Sequence, residues 1–482
     1  MEKQLKCVLK MLSLEELALR RVAIGLWSDS NILASISKFR LFGFSTLERK
    51  EDWQEIIEDK IKDKMLQLEL PASIMKELID IVRPISLDIR RWKIVYQGYF
   101  FASNEEIGLP DSAKLCFTSA GSVDYRRTAE ELVRCKALGV VRRYKIACLH
   151  CLEDYIPLLW EELPEERREF FCNKKFTSPY LEFCWPHIFK GEHSKLDYLL
   201  TASNRNLTTF NQCAFEFLAE RRCKTAAEYF FQKLTHEEKG ASLMRTAHAL
   251  LAKSSMENLP EETLSDALCY LLSVMTPEQQ TEIVKAQPIK VLLCFLDWQW
   301  QDLFLENADL IWTFLPPRAY RDLLKKMINI YSDFYFPKLF QEFFIQSPLD
   351  FKKCLIDPKS AFPFLSIFFE SEDSESIEVI FRNVDGADRV KLVFHPSVLK
   401  FFYESILIDR WHMVEVCLRE AKLSKEDGER LKKAFLKCNG IGRIEWENRK
   451  LKRFFDFLDE TNESADKEKK AQKRKLENCC AE

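Results

Sequence analysis

Glycine is scarce in this chain, with 12 residues in 482. Phosphate-binding turns and sheet-rich folds use glycine for positive φ and close backbone approach, so the shortage argues against nucleotide-binding α/β architectures. Long uncharged apolar runs are missing as well, and none approaches the ~18 residues a membrane helix needs. Neither sign of charge is in excess: 72 basic side chains stand against 75 acidic ones. That balance removes any general attraction to phosphate backbones or anionic membranes, so neither nucleic acid nor membrane is expected as a partner. There is no Gly-x-Ser-x-Gly elbow and no phosphate loop. His236-Glu-Glu-Lys239 lacks the second histidine of a zinc protease, and Gly440-Ile-Gly442 lacks the third glycine of a dinucleotide fingerprint. No enzyme active site and no cofactor are therefore read from the sequence. Met1 to Leu12 alternates lysine with short apolar stretches and has no small-residue cleavage site, so a secretory signal is not expected. The 16 cysteines are then expected to be reduced and the chain intracellular, in the cytoplasm.

Helical periodicity is what the chain does have. Hydrophobic residues make up 47% and charged residues 30%, enough apolar surface for packed structure throughout most of the length. Apolar residues recur at i, i+3, i+4 and i+7 almost everywhere, which predicts an all-α fold. One pattern repeats: apolar side chains seven, four and three residues before an anchor. Ile156, Leu159 and Trp160 precede Leu163; Leu196, Leu199 and Leu200 precede Ser203; Ala227, Phe230 and Phe231 precede Leu234. Leu268, Leu271 and Leu272 precede Met275; Ala308, Ile311 and Trp312 precede Leu315; Phe340, Phe343 and Phe344 precede Ser347. Ile377, Ile380 and Phe381 precede Val384, and Val414, Cys417 and Leu418 precede Ala421. The anchors are 40, 31, 41, 40, 32, 37 and 37 residues apart, about 37 on average, within the range of helical-repeat periods. Pro164-Glu-Glu, Thr235-His-Glu-Glu, Thr276-Pro-Glu and Pro316-Pro follow their anchors directly, and Ser424-Lys-Glu-Asp does so after a slightly longer turn. Threonine or serine as N-cap, proline in the first turn and early glutamate all open helices. Each unit therefore reads as helix, tight turn, helix.

A period near 37 with paired helices resembles the ankyrin and HEAT-type α-solenoids, with a strongly diverged ankyrin-like array preferred. The resemblance covers about residues 140 to 440. It rests on periodicity, because the Thr-Pro-Leu-His signature of ankyrin is absent and its nearest phrase, Leu315-Pro-Pro-Arg318, lacks the histidine. It implies an α-solenoid of stacked helical hairpins offering an elongated, curved surface to a protein or peptide: a non-enzymatic interaction scaffold or adaptor.

Three segments are expected: an N-terminal helical cap or small domain over 1–110, the solenoid over 111–455, and a charged, disordered tail over 456–482. Leu12-Ser-Leu-Glu-Glu-Leu17 resembles the opening of an F-box, although Ser13 stands where that motif has proline. This resemblance supplies an alternative, a ubiquitin-ligase-type substrate adaptor docking through its N-terminus. A helical enzyme with an unrecognised site is the other. In the tail, Lys469–Lys475 is a candidate nuclear-localisation patch.

Candidate partner-binding residues are aromatic. Asp297-Trp-Gln-Trp300 places Trp298 and Trp300 on different sides of a helix or turn, so one can pack while the other is exposed. Phe334 to Phe369 holds ten phenylalanines, including Phe334 and Phe336; most are expected in the core and a few at an interface. Cys148-Leu-His-Cys151, with Cys172, Cys184 and His187, has the ingredients of a zinc site. Yet Val141, Tyr144, Cys148, Cys151, Leu152 and Tyr155 form one helical stripe, so both cysteines are read as core. Tyr125–Lys145 carries seven basic and two acidic residues, and Cys151–Phe170 two basic and seven acidic. Such neighbours are expected to neutralise each other.

Overall fold

The computed structural model describes residues 5–6, 12–39, 52–100, 110, 114–174, 179–201, 209–252, 264–296, 300–328, 336–356, 358–439 and 450–460. The described residues are helical almost throughout. They contain no strand; Phe117 and Val123 form an isolated antiparallel bridge, and Ile328 is a bridge residue too. The chain divides into two compact units, Met1–Phe304 and Leu305–Glu482.

The first unit begins with α1 (Leu14–Trp27) and α2 (Ser30–Lys38). A π-helical turn, Gln54–Glu58, then runs into α3 (Asp59–Leu66), and the long α4 (Ala72–Phe100) follows. Ser13 and Glu16 form a capping box that starts α1, which accounts for Ser-Leu-Glu-Glu here. α1 packs on α3 and α4 around buried Trp27, Ile32, Ile36, Trp53, Ile57 and Ile85. Both indoles find acceptors: Trp27 donates to the Val82 carbonyl at 3.2 Å and Trp53 to Ser86 Oγ at 2.9 Å. Thr118–Ser122 is a loop, as its small residues predict, with Gly121 at φ 94°.

Beyond it the unit continues through α5 (Tyr125–Arg134), α6 (Val140–Leu149), α7 (Ile156–Glu162) and α8 (Glu165–Asn173). Next come α9 (Leu181–Phe189), α10 (His193–Thr201), α11 (Phe210–Glu220) and α12 (Lys224–Lys233). Then α13 (His236–Ala252), α14 (Leu264–Val274), α15 (Pro277–Ala286) and α16 (Pro288–Cys294) follow. The division between units falls inside α17 (Gln301–Ile311). The second unit holds α18 (Pro317–Met327), α19 (Pro337–Gln346), α20 (Leu349–Ile356), α21 (Pro358–Glu370), α22 (Ser374–Arg382) and α23 (Gly386–Phe394). It is completed by α24 (Pro396–Leu407), α25 (Trp411–Ala421), α26 (Lys425–Asn439) and a helix over 450–460, so residues 456–460 belong to that helix. The remainder of the tail, 461–482 with Lys469–Lys475, lies outside the described residues.

The anchors mark helix ends. All are buried except Ser203, which lies outside the described residues. Of the trio side chains that are described, Phe231 and Trp312 are half-buried and the others buried; Leu199, Leu200 and Ile311 are not among them. The residue after the anchor is the N-cap of the next helix at Pro164, Thr276, Pro316 and Asp385. Thr235 and Glu238 make reciprocal capping bonds at the start of α13. Ser424 Oγ accepts from the Asp427 N–H at 3.1 Å and starts α26 three residues after its anchor.

A third regularity lies before five of the eight trios, whereas Leu303, twelve residues before Leu315, is inside α17. Cys151, Gly191, Arg222, Glu372 and Asp409 adopt left-handed φ of 51°, 74°, 63°, 55° and 64°. Each stands twelve residues before an anchor: Leu163, Ser203, Leu234, Val384 and Ala421. The residue after each donates back across the turn, Leu152 to Ala147, Glu192 to His187, Cys223 to Leu218, Asp373 to Phe368 and Arg410 to Ser405, at 2.8–2.9 Å. Two helix-end carbonyls are satisfied per turn, one by this bond and one by the left-handed residue's own N–H. The chain reverses there at the same point of every such unit.

Helices of like position are neighbours in the second unit. α19 packs on α22 and α22 on α25; α21 packs on α24 and α23 on α26. Arg382 grips Glu420 with Nε–Oε2 at 3.0 Å and Nη2–Oε1 at 2.8 Å, holding that carboxyl below its usual range. In the first unit α12 packs on α14. There Tyr229 OH donates to Glu153, so the segments anchored at Leu234 and Leu163 touch directly, past the one anchored at Ser203.

Two glycines separate backbone strain from packing, since a Cβ at either meets nothing within 4 Å. Gly191→Ala, in the left-handed turn, is expected to lower stability by about 1–2 kcal/mol. Gly240→Ala, inside α13, is expected to raise it by about 0.5–1 kcal/mol. Urea denaturation of the two variants checks the opposite signs. Phe343→Ala, at a fully buried trio position, is expected to cost about 3–5 kcal/mol by the same measurement.

Candidate partner-binding surface

Of the four aromatic candidates, Trp298 and Phe334 lie outside the described residues. Trp300 sits in a 3₁₀ turn just before α17, half-buried, its Nε1 shielded from solvent and without an acceptor among the described residues. Phe336 is the half-buried N-cap residue of α19, and its N–H donates to the Met327 carbonyl at 2.8 Å. Trp300 belongs to the first unit and Phe336 to the second. The phenylalanine-rich stretch is mainly core: Phe340, Phe343, Phe344, Phe364, Phe368 and Phe369 are buried. Trp312 stacks on Phe343 at 4.8 Å, Tyr320 meets Phe351 at 5.2 Å, and Tyr320 OH lies 2.9 Å from Ser347 Oγ. These rings join α18, α19 and α20.

The helical stripe expected from Val141 to Tyr155 is shorter than the pattern suggests. α6 ends at Leu149, and Cys151 occupies the left-handed turn instead. Cys148 and Cys151 are nonetheless both buried, and burial pushes both thiols well above their ordinary range. A metal takes the thiolate, so this environment disfavours ligation. His187 is occupied by Glu192, Nδ1 to Oε2 at 2.8 Å. Among the described residues no three metal-ligating side chains come together. The two oppositely charged segments do meet, Arg143 pairing with Glu162 at 2.6 Å and Arg134 donating to Tyr155 OH at 2.8 Å.

One row of positions escaped the sequence reading. Five residues before the anchors stand Leu158, Tyr198, Tyr229, Tyr270, Leu310, Val379 and Val416, with Glu342 the exception. At 100° per residue this position lies roughly 150° around the helix from the trio. Leu158 is 65% exposed and Tyr198 73%, while Tyr229, Tyr270, Leu310 and Val379 are half-buried and Val416 is buried. Large apolar groups at outward positions are the ordinary material of protein recognition. Aligning the units on their anchors, rather than reading each helix alone, reveals the row.

Several groups with displaced pKa values lie together: burial raises Tyr144, Cys148 and Cys184, and Tyr144 OH donates to the Glu182 carbonyl at 3.1 Å. Desolvation lowers half-buried His150 to about 4 and raises Glu182. Lys93, on α4, is fully buried and pushed down to about 7 by desolvation. Its amine donates to the Ile36 carbonyl and, at 3.3 Å, to that of Ser37, the last turn of α2, with the Phe39 ring 5.9 Å away. A cation there complements the helix dipole but forfeits hydration.

Linkage gives the sign of the Lys93 effect. Between its folded pKa of about 7 and an unfolded value near 10.4, the unfolded chain holds the proton and the folded chain does not. Stability contributed here therefore rises with pH through that window, by up to about 1.4 kcal/mol per pH unit. Below it the full cost of burying the charge applies. The stability of the wild type relative to Lys93→Met is expected to increase from about pH 7 to about pH 10, measured by denaturant titration at each pH. A flat difference would refute it.

No helix among the described residues is long and apolar enough to cross a membrane. Compared with known proteins, the chain matches no family model and no curated protein sequence.

Proposed function

We propose that this chain is a non-enzymatic protein-binding scaffold, a strongly diverged ankyrin-like stack of helix pairs. The observation that carries the reading is a three-part register seen whole at Leu163, Leu234 and Val384: a left-handed residue twelve before the anchor, a trio that is buried or half-buried, and a capping residue directly after it. The like-with-like packing of α19, α22 and α25 supports it, since a stack places each helix on its counterpart in the next unit. The tight turn between paired helices favours the ankyrin-like over the HEAT-like resemblance. The helix after the anchor departs from it, because ankyrin units carry a β-turn beside their two helices. The direct contact of Tyr229 with Glu153 is a second departure, at the segment anchored at Ser203.

In this reading a protein or peptide partner meets the exposed members of the row five residues before the anchors, Leu158 and Tyr198. The ubiquitin-ligase-type adaptor keeps one observation in its favour: the N-terminal helices share a core of their own, and Leu14 on α1 is 87% exposed.

Exposed-site variants in the full chain separate the two. With partners identified by affinity capture and cross-linking, Leu158→Ala combined with Tyr198→Ala is expected to reduce capture at least tenfold, about 1.4 kcal/mol or more. Leu14→Ala is expected to leave it unchanged. The reverse pattern would transfer recognition to the N-terminal helices, and no loss from either variant would remove the proposed surface.

A further inference from the structure

The helix over 450–460 repeats features of the units before it. Counted back from position 461, Phe454, Phe457 and Leu458 fall seven, four and three residues away, the trio spacing of the other units. Thr461 itself is outside the described residues. Phe454 and Leu458 are buried and Phe457 half-buried, its ring 5.7 Å from Trp411. Lys450 falls eleven residues before 461, as Arg410 falls eleven before Ala421. The two cations do matching work. Arg410 Nε lies 3.2 Å from Glu372 Oε1, and its Nη1 donates to the Phe369 carbonyl, on the left-handed turn of the preceding unit. Lys450 Nζ lies 2.7 Å from Asp409 Oδ2 and donates at 2.8 Å to the Leu407 carbonyl, on the next such turn along.

The flanking helix agrees. α23 follows the Val384 anchor and packs on α25. α26 follows the Ala421 anchor and holds the 450–460 helix, through Phe435 stacked on Phe454 at 4.3 Å and through Lys432 paired with Asp459. The other side of the 450–460 helix is polar, with Lys452, Arg453, Asp456, Asp459 and Glu460 exposed. Apolar on the inner face and charged on the outer is the division that terminal repeats need to stay soluble.

We infer that the 450–460 helix is a ninth repeat element serving as a C-terminal cap, which occupies in cis an edge on α25 and α26 that would otherwise accept a second copy of this chain. The inference rests on the stacked-repeat reading. Without the cap, Phe435 and Trp411 would face water on an edge shaped to receive a helix with the same trio. A second molecule released from its own cap exposes the same apolar edge on α25 and α26, and two such edges can cover each other as a self-complementary contact.

The test uses the full chain carrying Phe454→Ser, with hydrogen exchange followed by mass spectrometry and with light scattering. Expected is at least a tenfold loss of amide protection over 450–460, an at least doubled scattering mass, and retained protection over 374–382. A synthetic peptide with the sequence of 450–460, added in excess, should return the mass to the wild-type value. Unchanged protection or unchanged mass overturns the cap while leaving the stack intact. Equal loss over 450–460 and 374–382 instead marks one cooperative core, and what then fails is the repeat reading. A charge exchange checks the register independently. Lys450→Asp and Asp409→Lys should each lower 450–460 protection about two- to fivefold, and the double variant should restore part of it, since aspartate at 450 cannot donate to the Leu407 carbonyl. Failure to restore any of it overturns the equivalence of Lys450 with Arg410.

Discussion

A short helix whose apolar stripe spans positions seven, four and three residues before its end cannot bury that stripe by itself. Everything regular in this protein serves to bring another helix against it. The left-handed turn reverses the chain before the stripe begins, and the N-cap opens a new helix as soon as the stripe ends. Where both stand at the same offsets from the trio, as at Leu163, Leu234 and Val384, the units present their apolar faces at the same phase. Burial of aromatic and aliphatic groups then supplies the main favourable term, at roughly 25 cal/mol for each Å² removed from water.

The backbone strain in the turns makes sense in the same terms. Four of the five left-handed residues described at this position are not glycine: Cys151, Arg222, Glu372 and Asp409. A left-handed L-residue costs roughly 1–2 kcal/mol, which two satisfied helix-end carbonyls offset. Glu372 and Asp409 add a further gain, since each meets a cation from later in the chain. The turn is at once a reversal of direction and a point of attachment. Arg382 and Glu420 form a comparable link between α22 and α25.

The N-terminal helices obey a different logic. Their core is organised by tryptophans whose N–H groups are satisfied and by one amine, Lys93, buried against the carbonyl end of α2. No regular spacing relates α1 to α4, and the trio pattern does not extend to them. Their polar contacts, Lys93 to Ile36 and Ser37 or Glu58 to Ser86, join residues distant in sequence. Such pairs exist only once the helices have assembled.

The amino-acid sequence by itself determined that the chain is helical, where most trio helices end, and which residues cap their successors. These are local matters, settled by periodicity within one helix and by side chains within three residues of a backbone N–H, as at Thr276 and Gln279. Aromatic richness likewise pointed to the core around Phe340 and Phe343. Only the tertiary structure decided the left-handed turns, because Cys, Arg, Glu and Asp carry no glycine-like signal; there the conformation is imposed by the helices on either side. It also decided that α6 stops before Cys151 and that Trp300 packs its indole out of water. Which position of each helix faces outward was settled there too, since exposure depends on what a neighbouring helix covers, and no single helix contains that information.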